Sequence, residues 1–204
     1  MQDLKYPIHF LDFETFSLPI PPFAGLQPFQ RVPFQFSLHI QASPDVDLIH
    51  HEFLASGTGD PRPEFMEQLR RIVVQKGSLI AYNAAFEQGV LRECANALPA
   101  FQPWVASLEP RFIDLLKPFR AFRYYNPVQH GSASMKAVLP ALTGRGYEDL
   151  AIRDGDTASR EYLRVTFGKP EPGERERVCH QLEKYCGVDT FGMWQIVSAL
   201  RNLI

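Results

Sequence analysis

The sequence predicts an α/β fold: a mixed sheet in which three antiparallel strands precede two parallel strands, flanked by helices. Three observations support this prediction. Three segments with strand character follow one another before residue 55 with no helical pattern between them. After residue 60, segments with helical spacing alternate with short apolar strands, which is typical of parallel β-α-β units. The hydrophobic fraction of 45% in 204 residues is enough to form the core of one such domain.

The first strand is predicted over "IHFLDFETFS", Ile8 to Ser17. Side chains alternate between the two faces of a strand, so Asp12 and Glu14 project to the same side. Two carboxylates held together in this way raise each other's pKa or bind a cation between them. The alternative is that the strand ends here and emerges into a loop, where both acids are solvated.

The next two strands are predicted as a hairpin beside the first. Residues 18–33 contain five prolines, which preclude regular structure and indicate a long, stiff loop. Residues 34–40 and 47–54 then have strand character and are separated by a turn-like segment. These three consecutive strands are therefore expected to pair in an antiparallel manner.

Helices and two short strands account for the remainder of the chain. Residues 61–75 have the apolar spacing of a helix, and "GSLIAYN" follows as a short buried strand. "RFIDLLKPF" is predicted as a second short strand that turns into a helix. The other predicted helices cover residues 84–98, 134–144 and 157–167 and, as one long helix or a broken pair, residues 174–203. Ser134 and Thr157 are the predicted N-caps of the second and third of these helices.

Composition limits the class of protein. The 21 Lys and Arg against 23 Asp and Glu give a net charge of -2, so any nucleic acid would be held by a local patch or by metal ions. The three cysteines lack CxxC spacing, which indicates neither a disulfide framework nor a thiolate zinc site. The sequence has no basic-then-apolar leader and no apolar run near the ~18 residues of a membrane span. We expect one domain over residues 1–204, cytoplasmic and without a membrane partner.

Further acidic positions extend the candidate site. Glu87 lies in the first turn of a predicted helix directly after a strand, where the helix dipole favours a carboxylate. Tyr185 and Asp189 are four residues apart and therefore share one face of the last helix. These side chains can meet the two acids of the first strand. For Glu87, the alternative is an acid that only stabilises its own helix.

This arrangement resembles the DEDD superfamily of 3′→5′ exonucleases, whose fold is RNase H-like. The residues that match its first two motifs are Asp12 and Glu14, then Asn83, Phe86 and Glu87. Glu87 departs from the second motif, which ends in Asp. In the third motif, a Tyr four residues before the last Asp distinguishes one subfamily from another with a His five residues before it. Tyr185 fits the first pattern and position 184 is Lys, so the chain is similar to the tyrosine type.

Five segments indicate a particular family within this superfamily: "YPIHFLDFET", "PFQFSLH", "YNAAFE", "GSASMKAVLPAL" and "YCGVDT". Together they resemble a bacterial domain-of-unknown-function family within that superfamily. In that family the second motif commonly ends in Glu, and the domain often follows a RecB-like nuclease region. The resemblance covers nearly the whole chain. It implies that the chain can be the carboxy-terminal part of a longer protein with a linked RecB-like nuclease domain.

The resemblance implies a metal-dependent exonuclease that acts on single-stranded DNA or RNA ends. Two Mg²⁺ or Mn²⁺ ions about 3.5–4 Å apart stabilise the attacking and leaving oxygens of such a reaction, and hard cations take oxygen ligands. Asp12 would bridge the two ions. Glu14 and Asp189 would complete the ligands on the side of the nucleophile, and Glu87 would hold the other ion. Tyr185 would position the attacking water.

Residues that bind substrate are expected beside this site. Asn83, with Phe86 in the same motif, either fixes the turn after its strand or contacts substrate. Ser134 and Lys136 belong to "GSASMK", which is either an ordinary helix start or a receiver of a substrate phosphate. Three aromatic residues are expected to lie partly in the core, with one or two of them stacked on terminal bases: Phe23, Phe29 and Phe34. The alternative function is a nucleic-acid-binding module with a degenerate metal site that serves a companion nuclease domain.

Overall fold

A computed structural model describes residues 4–203, and its centre is a five-stranded mixed sheet. The strands are β1 (Ile8–Phe16), β2 (Val32–Gln41), β3 (Ile49–Leu54), β4 (Ser78–Ala81) and β5 (Phe112–Asp114). Their order is β3-β2-β1-β4-β5. The first three strands pair in an antiparallel manner, and β4 and β5 join parallel to β1. This is an RNase H-like sheet, and the predicted fold class is confirmed.

Helices cover both faces of this sheet. Those in residues 4–203 are α1 (Arg62–Ile72), α2 (Ala84–Ala97), α3 (Gln102–Leu108), α4 (Lys117–Arg120), α5 (Met135–Thr143), α6 (Gly155–Phe167) and α7 (Glu174–Arg201). On one face, Phe65 of α1 packs edge-on against Phe13 of β1, with ring centroids 5.0 Å apart. On the other face, α7 lies against β1 and β2. Over the same residues, no helix combines the length and apolarity needed to cross a bilayer.

Two details of the predicted helices differ from the structure. The N-cap of α6 is Asp154 and not Thr157, because the Asp154 carboxylate accepts a hydrogen bond of 2.7 Å from the Thr157 N–H. A carboxylate serves at this position as well as a hydroxyl, so either residue fits the local pattern. The short α3 was not predicted. Only Val105 and Leu108 are buried in it, which is too few for a recognisable period.

The carboxy-terminal segment forms a single helix and not a broken pair. Gly192 lies inside this helix, where glycine normally weakens helical structure. A Cβ at Gly192 would lie 2.7 Å from Cδ2 of Leu139 and 2.8 Å from Cε of Met135. The glycine therefore permits α5 to pack closely against α7.

A buried polar network fixes the position of α7 on the sheet. The hydroxyl of Thr190 lies 2.7 Å from Ser37 Oγ and 2.8 Å from His39 Nδ1, both on β2. His50 of β3 extends the network, since its ring stacks on His39 at 4.2 Å and its Nε2 lies 2.9 Å from Ser37 Oγ. Burial lowers the pKa of His39 to about 4, so this ring is neutral at physiological pH. Because buried polar networks specify one packing arrangement, they also place the adjacent Asp189.

Candidate metal centre

Three carboxylates meet between β1 and α7. One oxygen of each of Asp12, Glu14 and Asp189 lies within 4.8 Å of the others. Asp12 and Glu14 project from the same face of β1, as strand alternation predicts. Asp189 reaches them from α7, which crosses that face. Glu14 and Asp189 are shielded from water, at 7% and 8% exposure, and Asp12 is half-buried.

The electrostatics of this cluster favour a bound cation. Burial raises the pKa of Asp12 well above its ordinary value, and the charge of Asp189 raises it further. Burial, and then the charges of Asp12 and Asp189, do the same for Glu14. Within residues 4–203 no Lys or Arg forms an ion pair with the cluster, although Lys136 is close enough to lower the pKa values of Glu14 and Asp189. A divalent cation would relieve the repulsion with oxygen ligands, which is the chemistry of Mg²⁺ and Mn²⁺ sites.

Glu87 lies close to this cluster but outside the group of three. Its side chain, in the first turn of α2, is only 2% exposed. Burial raises its pKa well above the ordinary value, and the charge of Asp12 raises it further. A hydrogen bond from its own backbone N–H opposes this shift, as expected of an acid that stabilises a helix start. Its Oε2, however, is buried with no hydrogen-bond partner among the described residues, so Glu87 has an unused ligand atom near Asp12.

Two tyrosines contact Asp189. Tyr185, one turn earlier on α7, is 5% exposed, and it lies close enough to lower the pKa of Asp189. Tyr147 donates a hydrogen bond to Oδ1 of Asp189 from the segment between α5 and α6. Burial and the neighbouring carboxylates raise the pKa of both phenols, so both keep their protons. Sequence reasoning missed Tyr147, because no local spacing relates it to the acidic residues.

Sequence reasoning also missed Cys186. Its thiol lies 3.5 Å from Oδ2 of Asp12, within reach of a weak S–H hydrogen bond. Burial raises the pKa of this thiol, and the charge of Asp12 raises it further, so it is held in the protonated form that can donate. The available signal was helical spacing, since Cys186 precedes Asp189 by three residues on α7. Cys186 therefore supports Asp12 from the same helix that supplies Asp189.

The residues of the second motif lie where β4 passes into α2, with Asn83 as the N-cap residue and Phe86 within the helix. Asn83 has the left-handed φ of 78°, and its backbone N–H donates to Oδ1 of Asp114 at 3.3 Å. The same oxygen accepts from the N–H of Leu116 at 2.9 Å, so Asp114 caps turns and is not part of the cluster. Phe86 lies beneath the guanidinium of Arg31, 5.2 Å from its ring centroid. This arrangement gives Asn83 and Phe86 structural contacts.

Ser134 and Lys136 lie at the start of α5. Ser134 occupies the N-cap position as predicted, but its side chain does not cap the helix and instead accepts a hydrogen bond of 3.0 Å from Ser132 Oγ. Lys136 is exposed and acts electrostatically on Glu14 and Asp189. Of these two residues, Lys136 is the one with an electrostatic link to the carboxylates.

Gly155→Ala is expected to weaken metal binding by displacing Glu14. A Cβ at Gly155, the first residue of α6, would lie 3.2 Å from Oε2 of Glu14, so the carboxylate must move by a few tenths of an ångström. Displacement of a ligand by a neighbouring group is expected to lower metal affinity by roughly tenfold. Metal titration measures the effect. Gly59→Ala is the matched control, because nothing lies within 4 Å of its Cβ. Equal metal affinities for both variants would contradict the contact.

Asp189→Asn is expected to stabilise the metal-free protein at pH 8 and not at pH 4. Burial raises the pKa of Asp189 to about 6. A carboxyl whose pKa is raised by folding binds more protons in the folded state, so the free energy of unfolding falls as pH rises from about 4 through the folded pKa. The amide removes this loss, which is on the order of 1–3 kcal/mol.

The comparison of the two proteins in EDTA isolates this effect, because the buried histidines, whose pKa values are lowered, contribute equally to both. Thermal unfolding between pH 4 and pH 8 measures it. Saturating Mg²⁺ should reverse the order at pH 8, since a cation that binds only the folded wild type stabilises it. A stability difference between the two proteins that does not vary with pH would contradict the raised pKa of Asp189.

The fold and the cluster together define an RNase H-like domain in which two carboxylates of the central strand meet a third from α7. The sequence profile described as "Domain of unknown function (DUF2779)" matches residues 9–134, and the chain belongs to this family. The matched region contains Asp12, Glu14 and Glu87, whereas Tyr185 and Asp189 lie beyond it.

A curated relative extends over nearly the whole chain. The chain is 25% identical over 224 aligned positions to "Uncharacterized protein MG366" of Mycoplasma genitalium (strain ATCC 33530 / DSM 19775 / NCTC 10195 / G37). The alignment covers 98% of this chain and 33% of the relative. The chain therefore spans about one third of the length of that protein, and the similarity includes the helix that carries Asp189.

Proposed function

We propose that this domain is a metal-dependent 3′→5′ exonuclease of the DEDD superfamily, tyrosine type, that hydrolyses phosphodiester bonds at single-stranded DNA or RNA ends. The observation that carries the proposal is the convergence of Asp12, Glu14 and Asp189, whose oxygens lie within 4.8 Å of one another. The two residues of the first motif and the last residue of the third are far apart in sequence. Their meeting in a largely buried cluster, with no ion-paired Lys or Arg among residues 4–203, supports a metal-dependent reaction on an anionic substrate.

The residues fit the expected cations. Asp12, Glu14 and Asp189 would hold one Mg²⁺ or Mn²⁺, and Asp12 with the unpartnered Oε2 of Glu87 would hold a second. When bound, two such ions neutralise the scissile phosphate and lower the pKa of the attacking water. Tyr185, protonated beside the cluster, would orient that water through its hydroxyl.

Other residues of the chain support these roles. Tyr147 holds Asp189 in place, and the Cys186 thiol does the same for Asp12. Lys136, exposed at the start of α5, adds positive charge near the phosphate that the cluster would bind. The low exposure of the carboxylates reduces the dielectric screening of these interactions.

Cleavage of end-labelled oligonucleotides tests the proposal. With Mg²⁺ or Mn²⁺ the purified domain is expected to shorten a single strand from its 3′ end and release nucleoside 5′-monophosphates. EDTA should abolish the reaction. Comparison of DNA and RNA strands of the same sequence identifies the preferred sugar. Absence of cleavage with either metal and either strand would contradict the proposal.

The position of Glu87 favours one alternative. Because Glu87 lies outside the group of three, a second ion would be held less firmly than the first. The alternative is a nucleic-acid-binding module with a degenerate metal site that serves a companion nuclease domain. Binding of one metal ion per chain by calorimetry, with strand binding but no cleavage, would support it.

The length of the relative supports a linked partner. The chain covers 33% of the Mycoplasma genitalium protein, so the remaining two thirds contain additional segments. We propose that a RecB-like nuclease domain is linked to this domain in a longer cytoplasmic protein. Cleavage by the longer protein after inactivation of Asp12 would measure the contribution of that partner.

A further inference from the structure

One long stretch of the chain has basic residues and no acids. Residues 115–147 contain none of the 23 Asp and Glu of the protein. Its cations, all exposed, are Lys117, Arg120, Arg123, Lys136 and Arg145. None of them forms an ion pair with another described residue, whereas exposed arginines elsewhere, such as Arg71 and Arg92, pair with glutamates. Against a net charge of -2, this region is a local positive surface.

Aromatic side chains alternate with these cations. Phe122 is 67% exposed and Tyr125 is 43% exposed, with ring centroids 5.7 Å apart. Phe119 and Tyr124 instead turn inward and pack edge to face at 6.0 Å. We call residues 117–136 the basic-aromatic strip. Its exposed rings border a recess of about 140 Å³ that Arg120, Gln129 and residues 131–133 also line.

The exposed ring of Phe122 is held by the backbone. Phe122 has a φ of 51°, in the left-handed region that bulky residues rarely occupy. Its N–H donates to the carbonyl of Phe119 at 3.1 Å, and the next N–H, that of Arg123, donates to the carbonyl of Pro118 at 2.9 Å. Residues in such conformations persist where the surrounding structure imposes them. The strip therefore presents its rings from a fixed turn.

The strip leads to the carboxylate cluster. The hydroxyl of Tyr82 donates to the carbonyl of Ala133 in the strip at 2.7 Å, and its ring stacks on Phe119 at 6.2 Å. Tyr82 directly follows β4, which pairs with β1 in parallel as far as Ile80 and Phe10. Tyr82 and Asp12 are therefore both two residues past the last pair, at the same end of the two strands. Lys136, at the other end of the strip, acts electrostatically on the cluster itself.

We propose that the basic-aromatic strip binds a single-stranded nucleic acid, with Phe122 and Tyr125 stacked on bases and Lys117, Arg120 and Arg123 in contact with phosphates. The inference rests on the proposed function only in placing the end of the strand at the cluster. Unpaired cations alone would suit any polyanion. Exposed aromatic faces between them favour unpaired bases, because every base has a π-face available for stacking when it is not in a duplex.

Fluorescence anisotropy with a labelled oligonucleotide of about 12 nucleotides, in EDTA so that no cleavage occurs, tests the proposal. Phe122→Ala and Tyr125→Ala are each expected to weaken binding about 5- to 150-fold, the range that corresponds to loss of one stacked base. Arg120→Gln with Arg123→Gln should also reduce the steepness of the salt dependence, by about 0.7 in log K against log salt for each phosphate that the protein no longer neutralises.

Matched variants provide the controls. Phe29 is 68% exposed with a φ of 60°, so Phe29→Ala removes an equally exposed ring from an equally left-handed residue outside the strip. Arg71→Gln with Arg92→Gln removes two exposed charges that are already paired. Both controls should bind like the wild type. Weakening by Phe29→Ala without weakening by Phe122→Ala would overturn the proposal and place the strand on the proline-rich loop.

Competition distinguishes the partner. Duplex DNA of the same sequence should displace the single strand poorly, and polyglutamate should compete only at low salt. Equal competition by polyglutamate, together with unchanged binding by the aromatic variants, would overturn the proposal in favour of a surface for acidic proteins. Asp12→Asn should retain strand binding. Strand binding by the wild type without cleavage in Mg²⁺ or Mn²⁺ would count against the exonuclease alone, and cleavage by the wild type that the strip variants leave unchanged would count against the strip alone.

Discussion

Asp12→Asn is expected to reduce hydrolysis at least about 10³-fold while the fold is retained. The charge of Asp12 raises the pKa of both Glu14 and Glu87, so Asp12 is the natural shared ligand. Loss of its charge is expected to weaken metal binding and so to remove part of the electrostatic stabilisation of the scissile phosphate. Bound metal ions supply several kcal/mol of this stabilisation, and each 1.36 kcal/mol corresponds to tenfold in rate. The amide still accepts a hydrogen bond from Cys186, so the local packing is preserved.

Single-turnover cleavage and metal titration measure this effect, with Asp114→Asn as the matched control. Asp114 is also a carboxylate at a strand end, but it accepts hydrogen bonds from the N–H groups of Asn83 and Leu116 and caps turns. Its amide variant should lose about 1 kcal/mol of stability and keep its cleavage rate. Turnover by Asp12→Asn at the wild-type rate would refute the proposed metal centre.

Tyr185→Phe is expected to lower the turnover rate by about 10²–10⁴-fold with little change in metal or substrate affinity. This is the range for a positioned proton-transfer group. The phenol is buried beside Asp189 and keeps its proton, so its hydroxyl is a donor and not a metal ligand. If Tyr185 is only a core aromatic, loss of the hydroxyl changes stability by about 1 kcal/mol and leaves the rate unaltered.

Tyr147→Phe separates the roles of the two phenols. Tyr147 donates to Oδ1 of Asp189, and this hydrogen bond lowers the pKa of that carboxyl. Its removal should weaken metal binding and shift the pH dependence of activity upward, because Asp189 then ionises at higher pH. Tyr185→Phe should lower the rate at every pH and shift the pH dependence less, because Tyr185 lowers the pKa of Asp189 less than Tyr147 does. Identical metal titrations and pH profiles for both variants would show that the hydroxyls of Tyr147 and Tyr185 do not have different roles.

Local periodicity was sufficient for much of the candidate site. Strand alternation alone puts Asp12 and Glu14 on one face, and helical spacing alone puts Tyr185 and Asp189 on one face. The order of elements predicted the mixed sheet, because consecutive strands without helices between them pair as neighbours and parallel strands need a crossover. These features depend on residues close in the chain, so a single sequence determines them.

Tertiary packing decided the remainder. Tyr147 reaches Asp189 across 42 residues, and Cys186 reaches Asp12 across 174, with no period to relate them. The separation of Glu87 from the group of three depends on how α2 seats against the sheet. The acid-free stretch is visible in the sequence, but its lack of ion pairs depends on where the glutamates of other segments fold. Spacing fixes which face a side chain occupies, whereas packing between distant segments fixes what that side chain meets there.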